Sequence, residues 1–188
     1  MTFPKIIGIH GPLNGGKDTI ANYIIAKYNH SFQRYAFAKP IKDACMILFG
    51  FTHQQMEDRV LKETIDPFWG FSPRKATQLL GTEYGRMMLR DDVWIRRTEM
   101  EVEENDKNHI TTIITDVRFQ NEADWVRSQE NSMLIYINVP GLIRDEKYKH
   151  SSEAGIDLLD SDVVIINDKS LGINNLYNQV DLIFKDME

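Results

Sequence analysis

The chain has 188 residues, of which 42% are hydrophobic and 27% are charged, and its net charge is −6. This length and composition favour one globular domain over residues 1–188, with a sizeable core. The negative charge argues against a broad surface for nucleic acid or anionic membranes, so any phosphate site must be a local basic pocket. The single cysteine excludes an internal disulfide and favours a reducing cytoplasm. No signal peptide or membrane-spanning apolar run is apparent, so we expect a cytoplasmic protein.

A strand, a glycine-rich loop and a helix follow one another at residues 4–28. The apolar run at 4–10 predicts the strand, and the next residues, GPLNGGK from Gly11 to Lys17, match G-x-x-x-x-G-K. Apolar residues at helical spacing then predict a helix over 17–28. Glycines let backbone N–H groups turn towards phosphate oxygens, and the lysine adds a point charge. This order predicts a nucleotide-phosphate loop; the alternative is a glycine-rich turn before an ordinary helix.

One position departs from the common form of this loop. Asp18 stands where serine or threonine normally offers a hydroxyl to Mg²⁺, and Thr19 follows it. A carboxylate beside a phosphate is repulsive unless it binds the metal, metal-bound water or helix N–H groups. Asp18 is therefore the candidate metal ligand.

The next segment carries fewer signals. A strand is predicted at 32–37 and a helix at 41–49, with Pro40 at its start and a glycine after its end. Cys45 follows the apolar pattern of this helix and is predicted to be a core residue. Residues 51–71 are polar, aromatic and irregular, and we expect short helices and loops that cover a substrate as a flap.

The helix that Ser72 and Pro73 are predicted to begin has an unusual face. At 100° per residue, one cation, one amide and two glycines share it: Arg74, Gln78, Gly81 and Gly85. The opposite face is predicted to enter the core: Ala76, Leu80 and Met87. The polar face is a suitable floor for a small polar ligand that must approach the backbone closely. The alternative is that its glycines only allow close helix packing.

A further helix is predicted after Asp92, with Trp94 and Arg97 three residues apart on one face. Trp94 has two interpretations, since a tryptophan packs in a core more often than it stacks on a nucleotide base.

Two charged residues, Asp116 and Arg118, follow the strand predicted at 110–115. Open α/β sheets bind ligands beyond the carboxyl ends of their strands, so a nucleotide is expected there. Asp116 can hold Mg²⁺, a sugar hydroxyl or Arg118, and Arg118 can bind a phosphate with two parallel N–H donors. The alternative is a structural ion pair at the end of a strand.

Strands and helices continue to alternate in the rest of the chain. We predict a helix at 121–127, strands at 133–139 and 163–166, and a closing helix with an apolar stripe at Ile173, Leu176, Val180 and Ile183. The basic, polar residues 141–152 are predicted to form an exposed lid. The alternation predicts an α/β fold in three layers, α/β/α, with a mostly parallel sheet and right-handed connections.

Seven motifs, taken in order, resemble the phage-type deoxynucleoside monophosphate kinases, a family of P-loop kinases. They are GPLNGGKDT, FAKPIKD, SPRKATQLLGTEYGR, DDVWIRR, ITDVRFQNEAD, HSSEAGI and VIINDKSL. The resemblance implies a single P-loop NTPase domain that transfers the γ-phosphate of ATP, with Mg²⁺, to a deoxynucleoside monophosphate. It implies small-molecule substrates, no nucleic-acid or membrane partner, and the host cytoplasm for a phage-encoded enzyme; a homodimer is left open.

The resemblance also implies which residues bind each substrate. The ATP side comprises Asn14, Gly15, Gly16, Lys17, Asp18 and Thr19, with Asn167 and Asp168 near the base. The monophosphate side comprises Arg74, Lys75, Gln78, Gly81, Thr82, Trp94, Asp116, Arg118 and Glu122. The expected catalytic groups among them are Lys17, Arg74, Asp116 and Arg118. The interval from Phe49 to Ser72 looks shorter than in some relatives, which leaves the base preference undecided.

Two other functions stay open at this point. One is another small P-loop kinase, similar to a dephospho-coenzyme A kinase, which would phosphorylate a hydroxyl with Asp18 as the base. The other is a nucleotide-binding switch module that hydrolyses slowly. Strong stimulation of ATP consumption by an added monophosphate would indicate the nucleotide kinase.

Overall fold

The computed structural model describes residues 3–142, 155–185 and 187. Its strands form one parallel sheet in the order β2-β3-β1-β4-β5. The strands are β1 (Ile6–His10), β2 (Phe32–Tyr35), β3 (Thr111–Val117), β4 (Ser132–Asn138) and β5 (Val163–Ile166). The predicted α/β class with a parallel sheet is confirmed, and the architecture is consistent with a P-loop kinase fold.

Helices occupy most of the segments between the strands. They are α1 (Lys17–Lys27), α2 (Lys39–Phe49), α3 (His53–Glu57), α4 (Pro73–Gln78), α5 (Val93–Lys107), α6 (Gln120–Ser128) and α7 (Gly172–Phe184). A π-helix, Leu79–Leu89, continues α4, and short 3-10 turns lie at Leu61–Glu63 and Lys169–Leu171. The chain forms two compact units: the first ends at Ala36 and resumes at Met100, and the second is Phe37–Glu99.

Isoleucine dominates the core of the first unit. β1 is buried along its whole length, as expected for a central parallel strand covered on both faces. One cluster of its core comprises Ile7, Ile9, Ile20, Ala21, Ile24, Ile113, Ile135, Ile137, Ile165, Leu176, Val180 and Phe184. Because β3 and β4 flank β1, the loop after His10 lies at the carboxyl edge of the middle of the sheet.

The second unit has a smaller core around Cys45, Phe51, Met56 and Ala76. Cys45 is fully buried, as predicted, and burial raises the pKa of its thiol. The predicted start of α4 is also confirmed, since the Ser72 hydroxyl accepts a hydrogen bond from the Lys75 amide at 3.2 Å. Residues 51–71 contain α3 and a 3-10 turn, and their role as a flap stays a prediction.

The predicted α-helical face does not continue beyond Gln78, because residues 79–89 form a π-helix. Its hydrogen bonds join residues five apart, so the spacing of 100° per residue no longer applies. Met87, expected in the core, is 72% exposed, whereas Gly81, Thr82 and Gly85 are buried. The buried side of this helix is therefore its glycine side.

Smaller differences concern element ends. Asp116 lies within β3 rather than after it, and Ile173 of the predicted stripe is exposed, whereas Phe184 at the other end of α7 is buried. The predicted lid lies outside the described residues from position 143 onwards. Within the described parts of the chain, every helix is too short or too polar to cross a membrane.

Candidate active site

The loop between β1 and α1 has the backbone shape of an anion-binding turn. Gly16, the residue before α1, has φ = 100°, which is a left-handed conformation that favours glycine. The Gly15 amide donates to the Pro12 carbonyl at 2.9 Å, and this bond closes the loop. Asn14 is also left-handed, with φ = 59°. The loop thus follows a central strand and leads into the N-terminus of an 11-residue helix, an arrangement suited to phosphate.

Lys17 reaches back over this loop. Its ammonium group donates to the carbonyls of Gly11 at 2.7 Å and Pro12 at 2.8 Å. The charge therefore lies at the mouth of the loop rather than along the surface of α1. A phosphate bound there would meet a lysine that is already positioned.

Asn167, predicted to lie near the ATP base, contacts the phosphate loop itself. Its side-chain amide donates to the Gly15 carbonyl at 2.8 Å, and its backbone amide donates to Asn138 at 2.8 Å. A Cβ at Gly16 would lie 2.8 Å from the Asn167 amide nitrogen and would displace that side chain, and the positive φ of Gly16 also favours glycine there. Asp168 accepts from the Ser170 amide at 2.9 Å and so stabilises the turn that begins α7.

Asp18 forms an ion pair with Arg34 of β2. The same guanidinium donates to the Asn22 side chain at 2.9 Å, one helical turn further along α1. The Asp18 side chain is 76% exposed, and Thr19 beside it is half-buried. Among the described residues, no three potential acidic, histidine or cysteine ligands cluster as a metal site. The metal contact of Asp18 stays a prediction.

Asp116 lies at an irregularity in β3. Gly8 pairs with Ile114, whereas His10 pairs with Val117, so Thr115 and Asp116 together stand opposite Ile9. Such a bulge turns a side chain away from its regular position and is frequent beside active sites. The His10 ring donates from Nδ1 to the Val117 carbonyl at 2.8 Å, which fixes the end of β3 to the start of the phosphate loop.

Glu122 holds the backbone that carries Arg118. It is a buried residue, and its carboxylate accepts from the amides of Arg118 at 2.8 Å and Phe119 at 3.0 Å. A glutamate in the first turn that bonds back to the residue before the helix is half of a capping box. Glu122 thus fixes the direction in which the chain presents Arg118.

In the second unit, Arg74 at the start of α4 forms an ion pair through Nε with Glu63. Gln78 and Lys75 lie on the same short helix, half-buried and exposed respectively. Thr82 is buried in the π-helix that follows.

The two predicted ligand-facing glycines pack against side chains of the second unit. A Cβ at Gly81 would lie 2.9 Å from Ile41 Cδ1, and a Cβ at Gly85 would lie 2.6 Å from Trp94 Cζ2. The Trp94 indole N–H also donates to the Gly81 carbonyl at 2.7 Å. These contacts favour the packing interpretation of the glycines, and they fix the Trp94 ring on the π-helix.

Comparison with known proteins decides the family. Residues 51–180 match the family model described as deoxynucleotide monophosphate kinase. A protein of Acanthamoeba polyphaga mimivirus that carries the same family name is 34% identical over 193 aligned positions, which cover 93% of each chain. The chain belongs to the deoxynucleotide monophosphate kinase family. The deoxynucleoside-5'-monophosphate kinase of Escherichia phage T5 is 28% identical over 243 aligned positions, which cover 94% of this chain and 96% of that one.

Membership of this kinase family makes the chain a phosphotransferase. The alignment with the phage T5 kinase is longer than the 188 residues here, so that relative carries insertions. The family match begins at residue 51 and leaves out the phosphate loop, whereas the relatives match over nearly the whole chain.

Three residues beside predicted site residues were not singled out from the sequence: Arg34 and His10 in the first unit, and Glu63 in the second. Arg34 and Glu63 each form an ion pair with a predicted site residue, Asp18 and Arg74. The pattern of a strand or a turn gives no sign of such a pair. His10 could have been found, because it is the last residue of β1 directly before the loop.

A cavity of about 920 Å³ lies at the other edge of the sheet, below the amino ends of β1, β3 and β4. Two of its lysines form ion pairs: Lys5 with Asp106, also in the lining, at 3.3 Å, and Lys27 with Asp181 of α7 at 2.6 Å. The cavity lies at the amino edge of the sheet, whereas the phosphate loop follows the carboxyl end of β1.

Proposed function

We propose that the chain transfers the γ-phosphate of ATP to a deoxynucleoside monophosphate and releases the two diphosphates. The observation that carries this proposal is the glycine loop after β1, closed on itself and spanned by Lys17, in a chain of this kinase family. Phosphoryl transfer needs charge neutralisation and alignment more than covalent help from the protein. The chain's residues are suited to those two tasks.

On the donor side, the proposal assigns the β- and γ-phosphates of ATP to the loop amides and to Lys17. The lysine now donates to two carbonyl oxygens of its own loop. Phosphate oxygens are stronger acceptors, because hydrogen bonds between ionised groups are shorter and about twice as strong as neutral ones. Asn167 supports this side by holding the Gly15 carbonyl, which keeps that peptide from rotating.

Mg²⁺ is the metal expected for such a reaction, and the donor set suits it in kind. Magnesium prefers oxygen ligands and keeps several waters, with one or two carboxylates and the substrate phosphates. When bound, it neutralises charge on the transferred group. We assign its protein contact to Asp116, which lies at the bulge near the carboxyl end of β3. Asp18 is the second candidate, and its carboxylate already has a guanidinium partner.

On the acceptor side, we propose that Arg74 and Arg118 bind the monophosphate, with Gln78, Lys75 and Thr82 as further donors. An arginine fork matches two phosphate oxygens at once, which a lysine does not. The acceptor is already an oxyanion at neutral pH, so the reaction needs no strong general base. Glu122 is then a support of Arg118 through the backbone rather than a ligand.

The test is ADP formation from ATP with each deoxynucleoside and ribonucleoside monophosphate added singly. We expect strong stimulation by one or more deoxynucleoside monophosphates. Lys17→Ala should abolish it, and Lys5→Ala, the same change at the far end of β1, should not. ATP consumption that no monophosphate stimulates would refute the kinase proposal in favour of a switch module. Stimulation by a precursor with only a free hydroxyl would indicate the other kinase class.

A further inference from the structure

The aspartate that follows the loop lysine poses an electrostatic problem for the proposed donor site. Asp18 is the second residue of α1, where the positive end of the helix would otherwise serve phosphate oxygens alone. A carboxylate there adds a negative charge to a site that must accept the strongly anionic phosphates of ATP. Because like charges near a protein surface repel each other over several ångströms, the Asp18 carboxylate would weaken the binding of these phosphates.

Arg34 supplies the missing positive charge from β2. Its Nη2 contacts Asp18 Oδ1, and its Nη1 donates to Asn22 Oδ1 at 2.9 Å. The guanidinium therefore spans two residues one turn apart on α1, so it is held at two points. Of these two partners only Asp18 is charged, so the guanidinium charge of Arg34 offsets the charge of the Asp18 carboxylate.

We propose that Arg34 is a positioning residue of the donor site, which neutralises Asp18 and restrains its carboxylate so that ATP can bind beside it. The inference rests on the proposed assignment of ATP to the loop. It differs from a purely structural role of Arg34, because under this inference the loss of ATP affinity on removing Arg34 depends on the charge of Asp18. It also differs from a primary metal contact of Asp18, for which losing Asp18 could never help.

The experiment measures ATP affinity by calorimetry for the full chain and for three variants: Arg34→Gln, Asp18→Asn and the double variant. We expect Arg34→Gln to weaken ATP binding by about tenfold or more, as one uncompensated unit charge near the surface implies. Adding Asp18→Asn to Arg34→Gln should recover most of the loss and bring the double variant within about threefold of Asp18→Asn alone.

Two further readouts separate charge from structure. The pair is well exposed, with 36% of the Arg34 and 76% of the Asp18 side chain accessible. Raising the salt concentration should therefore shrink the defect of Arg34→Gln, because exposed charges are screened. Arg34→Lys keeps the charge and should retain most of the affinity. Circular dichroism checks that each variant is folded. If Arg34→Gln does not fold, the ATP affinity of Arg34→Lys tests the inference instead.

Several results would overturn the inference: Arg34→Gln binds ATP normally, the double variant is as weak as Arg34→Gln, or Arg34→Lys loses affinity as Arg34→Gln does. The wild type and Lys17→Ala are measured in the same assay. Saturable binding to the wild type that Lys17→Ala loses supports the donor assignment even if the Arg34 inference fails. Absence of ATP binding to the wild type overturns both.

Discussion

Arg127→Met should destabilise the first unit strongly. Arg127 of α6 makes a two-point ion pair with Asp162, from Nε to Oδ1 at 2.9 Å and from Nη2 to Oδ2 at 2.7 Å. Only 1% of the Asp162 side chain is exposed, so water cannot stabilise its negative charge once the arginine is removed. Breaking a buried pair from one side typically costs about 3–5 kcal/mol. We expect a loss of that size in the free energy of unfolding.

The pH dependence of this loss has a defined sign. Burial raises the pKa of Asp162, and hydrogen bonds from Arg127 and the Leu159 amide outweigh it, so the net pKa is lowered. A lowered aspartate pKa contributes stability at neutral pH that is lost as the pH falls through the folded-state value. In Arg127→Met the burial is no longer outweighed, and the acid protonates readily. The difference between wild type and variant should therefore shrink below about pH 4.

The assay is urea unfolding followed by tryptophan fluorescence at neutral and at acid pH. Arg96→Met is the matched control, because Arg96 pairs with Asp92 at 3.0 Å with 60% of its side chain exposed. Exposed pairs on a helix contribute about 0.3–0.5 kcal/mol. A loss below about 1 kcal/mol for Arg127→Met, or a loss equal at both pH values, would refute the reasoning.

Three further changes test the site. Arg118→Lys should raise the KM for the monophosphate about tenfold to a hundredfold, because a charge-assisted bond contributes about 1.5–3 kcal/mol; kinetics with each substrate varied would contradict this if only ATP were affected. Gly85→Ala should cost about 1–3 kcal/mol by overpacking, since its Cβ would lie 2.6 Å from Trp94; the cost in urea unfolding should fall in a Trp94→Phe background, and an equal cost there would count against the contact. Asn167→Ala removes the donor to the Gly15 carbonyl and should lower unfolding stability by about 0.5–1.5 kcal/mol while raising the KM for ATP, whereas an unchanged KM would leave Asn167 a structural residue.

The parts of the molecule that depend on neighbours in sequence could be predicted. The strand, loop and helix around Lys17 carry their own signals, as do the cap at Ser72 and the glycine that ends α2 in a left-handed conformation. Each of these depends on sterics and hydrogen bonds within a few residues. The parallel sheet could be predicted because strands and helices alternate along the chain.

What depended on distant partners could not be predicted. Asn167 binds Gly15 across 152 positions of sequence, and Arg34 meets Asp18 across 16, and no local pattern encodes either meeting. The face around Met87 was wrong for another reason, because the pattern assumed α-helical spacing where the chain forms a π-helix.

The position of β1 in the sheet has a consequence for the synthesis of the chain. Ile6 pairs with Thr112 on one side and with Ser132 on the other, so both neighbours of the first strand are translated long after it. At about 5–20 residues per second, this isoleucine-rich strand waits roughly 5–20 s for its first partner. During that time the nascent chain exposes an apolar strand with unpaired backbone N–H and C=O groups, to which a chaperone or another chain can bind. The phosphate loop, near the start of the chain, can take its final shape only late in translation.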